Sequence, residues 1–277
     1  MDGAVSHIMS KTVKRSMSPF ILLQISDCHL GSVPNDVLLG LDTDQSFHDV
    51  MRTALANEKP DMILVSGDIS NDGGANSYTR FLALINYYFP QTPLAWLPGN
   101  HDDPQHMPTV AQHPIGLAHS VAGWHFIFLD SRIPMQEGGR LGESELARLE
   151  HELETHADKP TLVFLHHQPV PVGSAWLDQY VVEDADNMFS IIDRFPQVKA
   201  ISWGHVHQEY VGRRNNVALL SVPSTCVQFL PRSDNFQIDT RMPGYRVWEL
   251  SPAGLWSSHV QRAQEKFYSL DMSATGY

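Results

Sequence analysis

Six short apolar runs recur along the first two-thirds of the chain: Phe20–Ile25, Met62–Val65, Pro93–Leu97, Trp124–Leu129, Thr161–Leu165 and Val198–Trp203. Each has the length and composition of one buried strand. Between them the apolar positions fall into a helical period. Phe47, Val50, Met51, Ala54 and Leu55 lie at i, i+3, i+4, i+7 and i+8; Tyr78, Phe81, Leu82, Ile85 and Phe89 repeat the stripe, as do Met188, Ile191, Ile192 and Phe195. Leu146, Leu149 and Leu153 mark one more helix, which ends before Lys159-Pro160. The last third changes character: Gln208–Gly212, Val217–Val222, Tyr245–Leu250 and Trp256–Val260 read as strands joined by turns at 213–216 and 251–254. Alternating βα units closed by a β-rich segment predict an α/β fold with two sheets rather than one doubly wound sheet. Pro- and Gly-rich stretches at 104–116, 168–173 and 231–244 read as loops inside one domain over residues 20–277, preceded by a disordered or non-native tail at 1–19.

Composition narrows the function. Apolar residues make up 42% of the 277 residues and charged residues 18%, which excludes a disordered chain. The formal charge of −12 speaks against nucleic acid or an anionic membrane as partner, and leaves room for a small anionic substrate where the site supplies its own positive charge. No apolar run approaches the ~18 residues that span a bilayer, and the first 19 residues hold Lys11, Lys14 and Arg15 without an apolar core, unlike a secretory signal. Two cysteines, Cys28 and Cys226, build no disulfide framework, so a cytoplasmic, reducing location is expected. Histidine is over-used, with 15 copies, and prompts a search for metal ligands.

That search succeeds at the strand ends. Asp27, Cys28 and His29 follow the first run, Gly67-Asp68 the second, Gly99-Asn100-His101-Asp102 the third, His166-His167 the fifth and Gly204-His205-Val206-His207 the sixth. Ligands of open α/β folds bind at the carboxyl ends of strands, so neighbouring strands would converge these side chains. Asp27, His29, Asp68, Asn100, His166, His205 and His207 form a mixed nitrogen and oxygen donor set without thiolate, suited to Fe or Mn, with Zn also allowed. Seven donors exceed one transition ion and suit two sharing a carboxylate. Asp27 and His29, two apart on an extended strand end, are expected to face one way and Cys28 the other. Two divalent ions, two carboxylates and a bridging hydroxide sum to about +1, which matches the single negative charge of a phosphodiester.

The blocks D-x-H, G-D, G-N-H-D, H and G-H-x-H, in this order from residue 27 to residue 207, resemble the calcineurin-like metallophosphoesterase superfamily. Further segments are similar to its bacterial class III 3′,5′-cyclic AMP phosphodiesterases. These are Leu38-Leu39-Gly40, Asp72 near Gly67-Asp68, Trp96–Asp102, Trp176-Leu177-Asp178-Gln179, Pro223–Phe229 and Gly276-Tyr277. The resemblance implies a four-layer αββα sandwich with two mixed sheets and hydrolysis of cyclic AMP to 5′-AMP, lowering intracellular cyclic AMP. It implies one ion on Asp27, His29, Asp68 and His207 and a second on Asp68, Asn100, His166 and His205, with Asp68 bridging. His101 would bind no metal, stabilise charge on the phosphate and protonate the departing 3′ oxygen. His29, Asp68, Asn100, His101 and His207 would contact substrate, and His101 with Asp68 would be catalytic.

Other residues receive blander readings. His167 is expected to support the ligands by hydrogen bonding, and His106 and His113 to sit near the substrate mouth. His48, His119, His125, His151, His156 and His259 are read as surface or loop residues, with His151-Glu152 and His156 on a solvated helix end, because the i, i+5 spacing of His151 and His156 misses the zinc-protease pattern. Pro223–Phe229, with a buried Cys226, is expected to shape the nucleotide pocket, Trp176 to stack a base and Arg232 to meet phosphate. Two rival functions stand beside the phosphodiesterase: another phosphoesterase on the same centre, such as a glycerophosphodiesterase or broad phosphatase, and a non-catalytic scaffold.

Overall fold

The computed structural model describes residues 18–107 and 118–276. Expectations for residues 1–17, His7, His113 and Tyr277 lie outside them. Strands β1 (Phe20–Ile25), β4 (Met62–Ser66) and β5 (Leu94–Leu97) run parallel, linked by helices α1 (Thr43–Asn57) and α2 (Ala75–Tyr88). Two antiparallel strands, β14 (Gly244–Leu250) and β15 (Trp256–Arg262), extend this sheet past β1 to give the order β15-β14-β1-β4-β5. Between β1 and α1 lies a short ribbon, β2 (Val37–Leu38) and β3 (Leu41–Asp42).

The second sheet has the order β10-β11-β9-β8-β7-β6. It contains β6 (Ala118–Val121), β7 (Trp124–Phe128), β8 (Thr161–Phe164), β9 (Val198–Trp203), β10 (Val211–Arg214) and β11 (Val217–Ser221). Its four central strands are parallel and its two edges antiparallel. Helices α3 (Gly142–Thr155), α4 (Ala175–Asp178) and α5 (Ala185–Ile192) and a ribbon of β12 (Gln228–Phe229) and β13 (Ile238–Asp239) complete the chain.

Strand alternation sorts the apolar residues into three layers of core. Leu22, Leu64, Leu97, Phe126, Phe164 and Trp248 point between the two sheets. Leu23, Ile63 and Val65 point outward against Phe47, Met51 and Phe81 of α1 and α2. Val163, Ile201 and Trp203 meet Leu149, Leu153 and Met188 of α3 and α5 on the far side. Period-2 strands buried on both faces, each covered by one stripe of a period-3.6 helix, give the two-sheet α/β core expected from the pattern and the αββα layering that the resemblance implies. Helix α1 starts where Asp42 accepts from the Gln45 backbone N–H at 2.9 Å. Among the described residues no helix is long and apolar enough to cross a membrane.

One polar node sits inside the inter-sheet core. Gln24 Nε2 donates to Ser66 Oγ at 3.0 Å, and Gln24 Oε1 accepts from Ser202 Oγ at 2.9 Å and from Trp248 Nε1 at 3.0 Å. It ties both sheets together one residue below the strand ends. Gln24→Leu leaves two buried donors without an acceptor and is expected to cost about 2–4 kcal/mol in urea unfolding; a loss below about 0.5 kcal/mol would show that the node holds nothing.

Several sequence readings need correction. The strand expected at 208–212 forms instead over Val211–Arg214, because Gln208 is bound side-on, its Nε2 to Ser174 Oγ at 3.2 Å and its carbonyl to Ser221 Oγ at 2.5 Å. His125 is not a surface or loop residue: it lies buried on β7. Glu152 and His156 do not form a solvated helix end. Glu152 Oε2 lies 3.0 Å from His125 Nε2, and the His156 ring stacks on His125 at 3.9 Å and 16°.

Candidate metal centre

The carboxyl ends of β1, β4, β5, β8 and β9 meet where the two sheets face each other, and all seven candidate donors come together there. Their atoms form two runs of contacts that join at Asp68. In one, Asp27 Oδ1 lies 3.4 Å from His207 Nε2, which lies 3.2 Å from His29 Nε2, which lies 3.7 Å from Asp68 Oδ2. In the other, Asp68 Oδ2 lies 3.2 Å from His166 Nε2, which lies 3.1 Å from Asn100 Oδ1, which lies 3.0 Å from His205 Nδ1. Asp27, His29, Asp68, His166 and His207 are fully buried.

The backbone pays for this convergence in strain. Asp27, His29, Asp68, His205 and His207 all take left-handed conformations, with φ of 53°, 45°, 50°, 62° and 47°. Each such non-glycine residue costs roughly 1–2 kcal/mol. The expectation that Asp27 and His29 share a side because the strand stays extended is therefore wrong in its reason. The strand has already ended, and two left-handed residues flank Cys28, which turns into the core under α1 and α2. Backbone bonds hold the path: Asp27 N–H to Gly67 O at 2.9 Å and His29 N–H to Asp68 O at 3.0 Å.

Pro223–Phe229 serves the same purpose, and it backs the cleft rather than lining it, with Phe229 packed behind Trp176. Ser224 Oγ donates to Asp27 O at 2.7 Å, Thr225 N–H to Ser26 O at 3.1 Å, and Val227 O accepts from His207 Nδ1 at 2.7 Å. Cys226 is buried as expected, with its sulfur within 4.8 Å of the ligand atoms of His29 and His207. Asp102, given no role from sequence, accepts backbone N–H groups from Gly99 at 2.9 Å, Ser70 at 3.0 Å and Ile69 at 3.2 Å. It thereby locks the Asp68 loop to the Asn100 loop. Burial and the nearby Asp68 charge raise its carboxyl to about 6 against those three bonds.

The donor chemistry fits divalent cations. His166 Nδ1 lies 2.8 Å from Ser66 O and His207 Nδ1 lies 2.7 Å from Val227 O, so both imidazoles donate outward from Nδ1 and turn Nε2 inward, where a cation would take the place of a proton. Asp68 Oδ2 and His205 Nε2 are buried and, among the described residues, take part in no hydrogen bond. Burial pushes the His29 and His205 imidazoles down, towards their neutral, lone-pair form. Burial opposes the Asp68 charge, yet His166, His101 and His29 around it hold the carboxyl well below the usual carboxylate range. Buried lone pairs crowded at 3.0–3.7 Å without enough protons between them are what a positive ion relieves.

Glycine is required at the closest approach. A Cβ on Gly99 would fall 2.2 Å from Asp68 Oδ1 and 2.5 Å from Asp68 N, and one on Gly204 would fall 2.0 Å from Ser26 Oγ. Gly99→Ala is expected to push Asp68 out of place and lower kcat/KM about 10²-fold, the scale of a 1 Å misplacement. A purified variant with the wild-type rate and metal content would refute this.

The remaining predicted residues divide. His101 stands at the mouth, its ring edge-on to His29 at 4.8 Å and 81°, and its backbone N–H donates to Asp68 Oδ1 at 2.9 Å. His167 is buried against His166 and His205 and bonds Ser131 Oγ through Nδ1 at 2.8 Å, a supporting place as expected. Trp176 lines the open cleft beside Asn100, His101 and His205. His106 does not face that mouth; its Nδ1 lies 2.7 Å from Gly73 O. Arg232 does not meet the centre either; it is exposed on the loop before β13.

Comparison with known proteins gives a consistent result. The profile of the calcineurin-like phosphoesterase family matches residues 20–209. A 3′,5′-cyclic adenosine monophosphate phosphodiesterase CpdA of Vibrio vulnificus is 40% identical over 99% of this chain and all of its own. Those of Pseudomonas aeruginosa and Escherichia coli K12 are 36% and 34% identical over 93% and 92% of this chain, and over 95% and 94% of their own. Among solved structures, a dimetal phosphatase from Danio rerio superposes with a TM-score of 0.60 at 13% identity, covering 89% of this chain and all of its own. A purple acid phosphatase from yellow lupin does so with 0.63 at 13%, covering 88% and 53%. At that identity the two structures speak for the fold, while the profile and the full-length relatives settle the family: this chain belongs to the calcineurin-like phosphoesterases.

Proposed function

We propose that the chain is a metal-dependent phosphodiesterase that hydrolyses 3′,5′-cyclic AMP to 5′-AMP. The reading is carried by the likeness, over at least 92% of the chain, to relatives named for that activity. The centre supports it. Asp27, His29, Asp68 and His207 would hold one divalent cation, and Asp68, Asn100, His166 and His205 a second, following the two runs of contacts that meet at Asp68. Nitrogen and oxygen donors without thiolate favour Fe or Mn, with Zn compatible. When bound, such ions lower the pKa of water towards ~7 and offset the charge of a phosphoryl group.

The chain's own groups do the rest. The left-handed turns and Asp102 fix the donors before substrate arrives, so no reorganisation is needed during the reaction. His101, at the inner end of the cleft, is placed to hydrogen-bond a phosphate oxygen and to give a proton to the departing 3′ oxygen. The acidic surface, the buried thiols and one domain spanning the described residues from 20 onward suit a cytoplasmic enzyme acting on a small diester.

Stripping the protein with a chelator and reloading Mn²⁺, Fe²⁺ or Zn²⁺ tests the reading. Two ions per chain by elemental analysis and a kcat/KM for cyclic AMP above that for glycerophosphodiesters and phosphomonoesters are expected. A higher value for a linear diester or a monoester would move the chain to another phosphoesterase activity. No bound ion and no turnover after reloading would leave a scaffold.

A further inference from the structure

The cleft beside the centre has parts that phosphate chemistry does not use. Its volume of about 690 Å³ falls among small-molecule sites and exceeds what a phosphate group needs. Asn100, His101 and His205 form one end and an aromatic wall forms another. In that wall Trp176 packs edge-on to Phe236 at 5.0 Å and to Phe229 at 5.1 Å. Phe229 in turn stacks flat on His207, at 4.2 Å and 7°. The wall is thus packed through to a candidate ligand and stands at a fixed place relative to the centre.

Met135 sits at the rim, fully exposed at 102% and in a left-handed conformation with φ of 62°. Its turn is closed by Gln136 N–H on Ile133 O at 3.1 Å, and the loop by pairing of Arg132 with Gly139. An apolar side chain held in water on a strained backbone contributes nothing to the core. A thioether at a cleft mouth gains by contacting a flat ring. Gln179, also on the rim, donates through Nε2 to Trp176 O at 2.7 Å. Only the NH₂ end can face a carbonyl, so the amide has one orientation. Its Oε1 is left as an acceptor that, among the described residues, receives no hydrogen bond.

We propose that this cleft seats the purine base of the substrate between Met135 and the Trp176–Phe236 wall, and that Gln179 Oε1 selects adenine by accepting a hydrogen bond from its 6-amino group. Guanine presents a carbonyl oxygen at that position, which faces Oε1 acceptor to acceptor. The inference rests on the proposed hydrolysis of cyclic AMP and adds to it the residues that read the base. Glu137, which also lines the cleft, is engaged by the Tyr180 hydroxyl, whose pKa this bond pushes up to about 12.

Gln179→Ala and Met135→Ser alter exposed rim residues. The metal-loaded full chain is assayed on cyclic AMP, cyclic GMP and methyl p-nitrophenyl phosphate, a diester without a base. Gln179→Ala is expected to cut the cyclic AMP to cyclic GMP ratio of kcat/KM about tenfold, the scale of one hydrogen bond. Met135→Ser is expected to cut the ratio of cyclic AMP to the base-free diester about fivefold, mainly through KM. Unchanged ratios in both variants would overturn the base subsite while leaving the phosphodiesterase reading intact. A wild-type chain that cleaves the base-free diester and not cyclic AMP would overturn the reading itself, and the subsite with it.

Discussion

Asp68→Ala is expected to lower turnover by about 10³-fold or more, a barrier increase of roughly 4 kcal/mol, and to reduce bound metal to at most one ion per chain. Asp68 is where the two runs of contacts join. Its Oδ2 lies 3.2 Å from His166 Nε2 and 3.7 Å from His29 Nε2, while Oδ1 accepts the His101 backbone N–H at 2.9 Å. Truncation therefore removes a negative charge from both proposed half-sites and releases the loop that carries Asn100 and His101. Asp68→Asn separates these effects. It keeps an acceptor for the His101 N–H and fills the same space, and it loses only the charge. Elemental analysis with kcat on both variants decides. If Asn restores two ions and turnover, Asp68 acts by holding the loop. If both variants lose metal together, the charge is what matters. Wild-type turnover in the alanine variant would remove Asp68 from the centre.

The β1, β4, β5, β8 and β9 strands were legible in the sequence because each is a short apolar run buried on both faces, and their polar ends made the donors legible too. What composition and period could not carry is the path of the chain after each strand. Asp27, His29, Asp68, His205 and His207 are left-handed, a state in which Asp and His are enriched yet which only a few per cent of non-glycine residues adopt, so the residue type alone does not announce it. Asp27 and His29 thus come together around His207 through a backbone geometry other than the extended one expected. The supporting residues were hidden for a related reason. Asp102 and Ser224 act through backbone groups far away in sequence, at separations of 33 and 197 residues, and short polar residues doing so leave no periodic trace. His125 was misread because a buried histidine on a strand is satisfied at Nδ1 by Ser120 Oγ and at Nε2 by Glu152, 27 residues later, and no periodic pattern announces that pair. The aromatic wall likewise assembles from Trp176, Phe229 and Phe236, which no local pattern links.

His101→Ala is expected to keep both ions and slow turnover of cyclic AMP by roughly 10²–10⁴, the range for loss of general acid–base help. The bond that ties this residue to Asp68 is made by its backbone N–H to Oδ1, which alanine retains, so the variant removes the ring and keeps that tie. The ring stands edge-on to His29 and lines the cleft, with room for substrate beside it. Two roles are open to an imidazole there, and the leaving group separates them. A ribose 3′ oxygen departs poorly without a proton, whereas p-nitrophenolate departs without one. If the ring supplies the proton, the defect should be large on cyclic AMP and shrink towards the wild-type rate on methyl p-nitrophenyl phosphate. If it only steadies charge on the phosphate, both substrates should lose the same factor. A metal-replete variant with wild-type turnover on both would reject either role and reduce His101 to the backbone group that holds Asp68 in place.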